Sequence, residues 1–423
     1  MTSERDLDVV VFGATSVTGR RVAAYLDERV AEVGASWGAA GRDAGKVKRV
    51  LAEVGVTAPV TLSADVGDSV SLEAMAARAK VVLNLVGPYT RYGKPVIEAC
   101  VAGGAHYVDL TGEIPFVRRV IDEFDAAATG AGVKIVQVCG FEALPPDLAV
   151  TLAAEAAAER WSESLAEVDL DVTTTAAPPG LPRPSDFMSG GTIQSMVEIA
   201  ADEGTSELTD PAVLLDSPAE AGEVRRLSPI SVAPRRGEDG NVIAPMVPAA
   251  FLNPAVIHRS ASLRAAGRGE TFAAFRYREG FVLPGGSATL APRFAAAGIL
   301  SGAQAGLSGL TRAPLPVRRQ IAAGLRRVLP SSGFGPAADR LEDWKWRIDV
   351  DARTSGGNRV AVEVLGEGHP GYLTTATMLG EAGLLLAEDE ATPDRSGCLT
   401  PATALGTASA DRFVRAKLAF KVS

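Results

Sequence analysis

The chain has 423 residues, which is long for a single domain, and 47% of them are apolar, enough for sizeable buried cores. Charged residues make up 22% of the sequence, a share that argues against a disordered chain. The formal net charge of -9 argues against a nucleic-acid-binding protein, which needs a basic face to neutralise phosphates. The composition therefore predicts a folded protein of roughly two or three domains that does not bind nucleic acid.

The cysteines, the histidines and the first residues favour a cytoplasmic protein without a metal site. Cys100, Cys139 and Cys398 are odd in number and widely spaced, as expected of reduced thiols rather than of a disulfide framework or a zinc site. The three histidines lie far apart in the sequence, so no metal site is predicted. The opening residues MTSERDLD are charged, so no secretory leader is expected.

Strand and helix patterns alternate over the first 145 residues. Apolar runs predict strands at residues 9–12, 37–40, 60–64, 81–86, 106–110 and 133–139. Helical patterns lie between several of them, at residues 20–33, 71–79, 95–102 and 115–128. Short connections between such elements favour right-handed crossovers and a parallel sheet. The sequence thus predicts an α/β fold in which residues 1–145 form a doubly wound Rossmann domain.

The pattern changes after this domain. A helix is predicted near residues 146–160, strands with alternating apolar residues follow, and residues 214–245 are predicted to form a long charged excursion. The stretch WKWRIDVDARTSGGNRVAVEVLGEG alternates apolar and polar residues on both sides of a glycine turn, which predicts a hairpin. Residues 146–374 are therefore predicted to form an α+β domain with a mainly antiparallel sheet. Residues 375–423 are predicted to be a C-terminal segment that packs back on the Rossmann domain.

The first predicted strand runs directly into a glycine-containing turn, VVVFGATSVTGRRVAAYL. One glycine ends the strand and a second lies one turn inside the next helix, so the backbone N–H groups between them suit a pyrophosphate. The turn lacks the full G-x-G-x-x-G spacing, and its place in the first crossover of a doubly wound sheet is what supports nucleotide binding. The cofactor-binding residues predicted here are Gly13, Thr15, Ser16, Val17, Thr18 and Gly19.

The residues after the second and third strands indicate which nucleotide is bound. The second strand is followed by AAGRDAGKVKR, which supplies Arg42 and Lys46 where NAD-specific proteins usually have an acidic residue. A guanidinium can stack on adenine and bind a 2′-phosphate through two hydrogen bonds. NADP(H) is therefore favoured over NAD(H), although Arg42 could also be an ordinary turn residue. Asp65, after the third strand, is predicted either to meet the adenine amino group or to cap the next turn.

The loop after the fourth predicted strand carries the candidates for chemistry. Ligands of open parallel sheets bind beyond the carboxyl ends of the strands, so Asn84, Gly87 and Pro88 are predicted to line the nicotinamide end of the cofactor site. A tyrosine hydroxyl beside a lysine can protonate an enolate or an alkoxide when hydride arrives. In the competing interpretation, the tyrosines pack beneath the second domain and the lysine is solvated. The predicted catalytic residues are Tyr89, Tyr92 and Lys94.

Several stretches, spread over nearly the whole chain, resemble the saccharopine dehydrogenase-like family, most closely its bacterial branch of trans-acting enoyl reductases. They are FGATSVTGR, AAGRD, GPYTRYGKPVIEACVAGGAHYVDLTGE, VCGFEALPPDLA, SGGT at residues 189–192, PGYLTTATMLGEAGLLLAED and LTPATALG. The resemblance implies an NADP-binding Rossmann domain and a second domain that bears the substrate site. The chain departs from the family pattern at Ser16, where relatives usually have glycine. It departs again in GFEA at residues 140–143, where relatives tend to carry GFDS; the differing residues are Glu142 and Ala143.

For its closest branch, the resemblance implies an NADP(H)-dependent oxidoreductase that reduces a carbon–carbon double bond in a lipid or polyketide acyl chain, presented by a synthase or its carrier protein. Two alternatives stay open: a non-catalytic lipid- or membrane-associated protein that keeps the nucleotide site, and a saccharopine-type C–N dehydrogenase. The substrate of a saccharopine-type dehydrogenase carries several carboxylates. Residues 175–310, the region assigned to the substrate, are instead rich in Ala, Leu, Phe and Gly. Candidate arginines for a carboxylate or a carrier phosphate are Arg183, Arg259, Arg276 and Arg278. The sequence leaves the oligomeric state open.

Residues 294–327 combine an apolar stretch with a basic one. Residues 294–310 are too short and too rich in glycine to span a bilayer, and several arginines follow them. An apolar patch beside a basic helix suits a peripheral contact with an anionic membrane or an acidic carrier domain, and salt should weaken that contact. The alternative is a loop and helix that cover the substrate domain with a solvated arginine face.

Overall fold

The computed structural model of the chain describes residues 5–57, 60–180, 183, 186, 190–237, 240–246, 249–283, 285–286, 289–329 and 335–423. The strands are β1 (Leu7–Phe12), β2 (Trp37–Gly41), β3 (Val60–Ser63), β4 (Ala79–Asn84), β5 (His106–Asp109), β6 (Lys134–Val136), β7 (Leu165–Ala176), β8 (Arg235–Arg236), β9 (Val242–Ala244), β10 (Arg276–Leu283), β11 (Lys345–Thr354), β12 (Arg359–Glu367), β13 (Gly397–Leu399) and β14 (Leu418–Val422). The helices are α1 (Val17–Val33), α2 (Ala44–Ala52), α3 (Ser69–Arg78), α4 (Tyr89–Gly103), α5 (Ile114–Ala131), α6 (Leu144–Trp161), α7 (Gly190–Ala201), α8 (Pro218–Leu227), α9 (Asn253–Arg268), α10 (Leu290–Thr311), α11 (Leu315–Val328), α12 (Thr375–Ala387) and α13 (Pro401–Leu405).

The first sheet is parallel throughout and has the order β13-β6-β5-β4-β1-β2-β3. Both of its faces are covered by helices. Val9 and Val11 of β1 belong to a hydrophobic cluster that includes α1 and α12, whereas Val10 and Phe12 belong to one that includes α3 and α4. This alternation buries successive residues of one strand on opposite faces, as a doubly wound sheet requires. The predicted Rossmann-like fold is confirmed, and β13 adds a strand that the sequence did not predict.

The second sheet has the order β14-β12-β11-β7-β10-β9-β8. Its neighbours run antiparallel except β7 and β10, so the predicted mainly antiparallel sheet is confirmed. The predicted hairpin is the β11–β12 pair, and its apolar positions Ile348 and Val362 are buried with Leu148 of α6. The opposite face carries charged side chains in ion pairs, for example Arg278 with Asp169 at 2.6 Å. One face is therefore core and the other faces solvent.

Two segments differ from the sequence expectations. The excursion predicted at residues 214–245 contains helix α8, which begins at Pro218 with Ser217 as its N-cap, and the short strands β8 and β9. The segment 375–423 contributes β13 to the first sheet but also β14 to the second, where β14 pairs with β12. The end of the chain therefore joins the two sheets. Among the described residues, none of the helices combines the length and apolar character needed to cross a bilayer.

Candidate nucleotide-binding and active site

The turn between β1 and α1 is tight because of two glycines. Gly13 has a φ of +89°, a conformation that favours glycine, and a Cβ on Gly19 would lie 2.3 Å from the Gly13 carbonyl oxygen. Ser16 is the N-cap of α1, and its Oγ accepts a hydrogen bond from the Gly19 N–H at 2.9 Å. A helix N-terminus held this close to the strand end fits a bound pyrophosphate.

A cavity of about 1040 Å³ lies along this edge of the first sheet. Its walls come from the loops after β1, β2, β3, β4, β5 and β6 on one side and from the second part of the chain on the other. Eleven of the fifteen predicted site residues line it: Gly13, Thr15, Ser16, Val17, Thr18, Arg42, Asp65, Gly87, Pro88, Tyr89 and Tyr92. The structure thus places at one cavity most of the residues that the sequence singled out. Gly19, Lys46, Asn84 and Lys94 are not among its lining residues.

At the β2–β3 end of the cavity, Arg42 is exposed and Asp65 is half-buried. The Asp65 Oδ1 accepts a hydrogen bond from the Gly67 N–H at 2.8 Å, so this carboxylate also shapes its own turn. Lys46 lies in the first turn of α2, where its N–H donates to the capping Asp43 at 2.9 Å. A second arginine, Arg20 in the first turn of α1, lines the cavity and was missed, although it directly follows the glycine turn in sequence. Arg20 and Arg42 give this end a positive charge that suits phosphates.

A buried hydrogen-bond network lies beneath the ends of β4, β5 and β6. Asn84 is fully buried, and its amide nitrogen donates to the Tyr107 hydroxyl at 3.0 Å. That hydroxyl donates to the Asp109 Oδ2 at 2.8 Å, and the Asp109 Oδ1 accepts from the Thr111 N–H at 3.0 Å. Burial raises the pKa of Asp109 to about 7. Asn84 therefore supports the floor of the site rather than facing the cavity.

The structure does not bring the predicted catalytic trio together. Tyr89 is buried, its hydroxyl donates to the Asn84 carbonyl oxygen at 3.1 Å, and burial raises its pKa well above the usual value. Tyr92 is half-buried and lines the cavity. Lys94 is exposed and forms an ion pair with Glu123 of α5 at 2.6 Å. Lys94 follows Tyr92 by two residues in a helix, which places the two side chains about 200° apart around the axis.

Helix α4 begins at Tyr89, six residues before the helical pattern at Pro95 that the sequence indicated, because a distant carboxylate caps it. Glu113 is fully buried and accepts hydrogen bonds from the Tyr89 N–H at 3.0 Å and the Thr90 N–H at 2.7 Å. It also accepts one from the Ser195 hydroxyl of α7 at 2.8 Å. This carboxylate therefore fixes the β4–α4 loop and ties it to the opposite wall. No local sequence pattern links Glu113 with Tyr89, 24 residues away.

The wall that faces the sheet edge is largely apolar. Its side chains come from α7, α10, the turns before α8 and α9, and the end of α11, and they include Ile199, Leu208, Phe251, Leu252, Leu307 and Leu329. Among the described residues, an ion-paired group interrupts this wall: Glu198 pairs with Arg326 of α11 at 2.9 Å and with Arg91 of α4, across the cavity, at 3.0 Å. A polar cleft that fits a dinucleotide is thus continuous with an apolar space that fits a hydrocarbon chain. Within the described parts of the chain, no group of three or more His, Cys, Asp or Glu side chains could hold a metal ion.

Comparisons with known proteins agree with this geometry. Residues 9–136 match the family model described as the saccharopine dehydrogenase NADP binding domain. A protein of Mycobacterium tuberculosis (strain ATCC 25618 / H37Rv) that bears the provisional name trans-acting enoyl reductase is 35% identical over 99% of this chain and 98% of its own. The trans-acting enoyl reductase of Mycobacterium ulcerans (strain Agy99) is 32% identical over 96% of this chain and 95% of its own. The fold is that of saccharopine dehydrogenase (L-Glu forming) from Saccharomyces cerevisiae, with a TM-score of 0.52, 12% identity and coverage of 98% and 99% of the two chains.

The position of Arg42 makes a test of cofactor choice possible. Arg42→Asp should weaken NADPH binding by roughly 10- to 100-fold and NADH binding far less, because only NADPH has a 2′-phosphate for the guanidinium to hold. Dissociation constants of both nucleotides, from the quenching of intrinsic fluorescence, measure the difference. Arg49→Asp on helix α2, which follows Arg42 and lies outside the cavity at this position, is the matched control and should leave both constants unchanged. Equal losses for NADPH and NADH would contradict the assignment.

Proposed function

We infer the function of this chain from two established points: it belongs to the saccharopine dehydrogenase-like family, and it is an NADP(H)-dependent oxidoreductase. We propose that it reduces the carbon–carbon double bond of an enoyl thioester in a lipid or polyketide chain. The observation that carries this proposal is the continuity of the dinucleotide cleft with the apolar wall. A hydride donor and a hydrocarbon chain can therefore occupy one cavity side by side.

The roles of individual residues follow from their positions. Gly13, the first turn of α1, and Arg42 would hold the pyrophosphate and the 2′-phosphate of NADPH, which supplies a hydride when bound. The apolar wall binds the acyl chain and excludes water from the reacting carbons. Tyr92 lines the cavity, and we assign its hydroxyl the role of donating a hydrogen bond to the thioester carbonyl oxygen, where negative charge develops. Tyr89 and Asn84 fix the β4–α4 loop, which would line the nicotinamide end of the cofactor site.

The second enzymatic alternative, a saccharopine-type C–N dehydrogenase, receives less support. Its substrate needs several cations for its carboxylates, and three of the four candidate arginines, Arg259, Arg276 and Arg278, are already engaged. Arg259 is buried and donates to the carbonyls of Leu214 and Cys398, and Arg276 pairs with Glu167 at 2.7 Å on the second sheet. The arginines Arg91 and Arg326 in the cavity share the carboxylate of Glu198. These engagements favour an apolar substrate.

A test of the role of Tyr92 also tests the function itself. The wild-type protein should oxidise NADPH, seen as falling absorbance, when enoyl thioesters of increasing chain length are added. Tyr92→Phe should lower kcat by roughly 10- to 100-fold with an unchanged dissociation constant for NADPH, because one hydrogen bond to the developing oxyanion is lost. Lys94→Gln is the matched control and should keep full activity, since Lys94 lies outside the cavity.

Two contrary results would overturn different parts of this proposal. Full activity in Tyr92→Phe would remove the tyrosine from the mechanism. No NADPH consumption by the wild type with any enoyl thioester, with tight NADPH binding intact, would favour the non-catalytic alternative.

We also propose that α10 makes a peripheral contact with lipid. On α10 the polar residues Arg293, Gln304 and Thr311 are buried, whereas Ile299 is 74% exposed. The arginines of α11 are less available for contact with an anionic membrane than the sequence indicated, because most of them already have partners in the protein. Arg318 donates to the backbone carbonyls of Ala200 and Asp202, and Arg319 and Arg326 are paired with Glu203 and Glu198. An outward apolar face without a free basic cluster suits insertion into a lipid interface rather than attraction to its charge.

Because the proposed contact is apolar, salt should weaken vesicle binding less than the sequence indicated. The protein should bind vesicles of anionic lipid, and about 1 M salt, where screening extends over only about 3 Å, should leave most of that binding intact. Ile299→Asp should reduce binding by about tenfold or more, because a charged group replaces an apolar side chain that would otherwise be buried in lipid. Co-sedimentation with vesicles measures both effects, and Val70→Asp, another exposed apolar position, is the control. An absence of vesicle binding at low salt would leave α10 as ordinary structure.

A further inference from the structure

The loop between β6 and α6, residues 137–143, is held in an unusual conformation at the cavity. Val138 lines the cavity with a φ of 59°, a value that β-branched residues rarely adopt. Three backbone hydrogen bonds hold the loop: Val138 N–H to the Asp109 Oδ1 at 3.3 Å, Cys139 N–H to the Asp109 carbonyl at 2.9 Å, and Phe141 N–H to the Thr375 hydroxyl at 3.1 Å. Strained backbone that its surroundings hold in place is typical of functional sites.

The loop presents Glu142 to the cavity. Its carboxylate lies close to Gly140, since a Cβ built there would be 3.0 Å from the Glu142 Oε2 and 3.9 Å from Leu110 and Thr375. Among the described residues, Glu142 forms no ion pair and no hydrogen bond with another residue, and its carboxylate accepts a hydrogen bond from its own backbone N–H. Burial raises its pKa, and no charged side chain contributes to that shift. A carboxyl group in a cavity, without a cation to stabilise its ionised form, keeps its proton to a higher pH than an exposed carboxyl group does.

The position of the loop decides which end of the cofactor Glu142 meets. In the sheet order β6-β5-β4-β1-β2-β3, Arg42 and Asp65 follow β2 and β3, on one side of β1. Glu142 follows β6, on the other side. Because a dinucleotide lies across these strand ends with its pyrophosphate at the β1–α1 turn, Glu142 shares the nicotinamide end with Tyr92.

We propose that Glu142 is the acid that protonates the substrate carbon after hydride transfer. This assignment rests on the proposed enoyl reduction. NADPH would supply the hydride and be oxidised to NADP⁺. The hydride forms a bond to the β-carbon, the double-bond electron pair moves to give an enolate, and the α-carbon then takes the proton of the Glu142 carboxyl group. The new C–H bond uses the enolate electron pair, and the Glu142 carboxylate regains a proton from water. Tyr92 and Glu142 thus serve different atoms of one substrate, the carbonyl oxygen and the α-carbon.

The variant Glu142→Gln tests this assignment, because glutamine has the shape of glutamate but no carboxyl proton to give. The kcat for an enoyl thioester should fall by about 100-fold or more, the usual contribution of a general acid, with an unchanged dissociation constant for NADPH. Glu142→Asp should retain part of the activity. Glu159→Gln, on the outer part of α6, is the matched control and should behave as the wild type.

Two pH-dependent readouts separate an acid from a structural residue. In the wild type, kcat should fall as pH rises through the raised pKa of Glu142, and this limb should vanish in Glu142→Gln. Because the folded-state pKa of Glu142 is above its unfolded value, the wild type loses stability as pH rises from about 4.5 through that pKa. The melting temperature of Glu142→Gln should therefore equal that of the wild type at low pH and exceed it at neutral pH.

The outcomes distinguish the inference from the function on which it rests. An active wild type together with a Glu142→Gln variant of similar kcat would overturn the role of Glu142 and leave enoyl reduction intact. A pH limb that persists in Glu142→Gln would belong to another group, such as Asp109 with its pKa of about 7, and would count against Glu142 in the same way. An inactive wild type would overturn the proposed reduction and the role of Glu142 together. If Glu142→Gln fails to fold, a Glu142→Asp variant with the wild-type kcat and pH profile would overturn the role as well.

Discussion

In a parallel sheet, every strand delivers its following loop to the same edge, and the site of this protein depends on that constraint. Loops that are far apart in sequence meet there, and the second part of the chain closes over them. The buried carboxylate of Glu113 shows how closely the two sides are coupled. It caps α4 through Tyr89 and Thr90 and accepts a hydrogen bond from Ser195 on the facing wall. The position of Tyr92 therefore follows from a cap that lies in another loop.

The charge around the cavity differs from the charge of the whole chain. The chain carries a formal charge of -9, yet the cavity is lined by four arginines, Arg20, Arg42, Arg91 and Arg326. Among the described residues, the carboxyl groups of Asp65, Glu142 and Glu198 also line the cavity; Glu198 is paired with two of these arginines, and burial raises the pKa of Glu142. Local positive charge suits the phosphates of NADP(H), while the apolar wall suits a neutral acyl chain. One cavity thus offers separate environments to the two reactants.

Much of the fold could be predicted from the sequence because its signals are local. The strands of the first sheet are short apolar runs, and the β11–β12 hairpin alternates apolar and polar residues around a glycine turn. The β1–α1 turn was likewise predicted from its glycines and its place before the first helix. The site was predicted less well where it depends on distant contacts. The helical pattern that began at Pro95 left Tyr92 and Lys94 in a loop, whereas the cap from Glu113 starts α4 at Tyr89 and turns Lys94 away from Tyr92.

The most direct measurement is the fate of the hydride. NADPH deuterated at C4 on the transferred side would be incubated with an enoyl thioester in ordinary water, and the product examined by mass spectrometry and NMR. Enoyl reduction should place one deuterium on the β-carbon and a solvent-derived hydrogen on the α-carbon. Bound NADPH that transfers no deuterium to any enoyl thioester would contradict enoyl reduction.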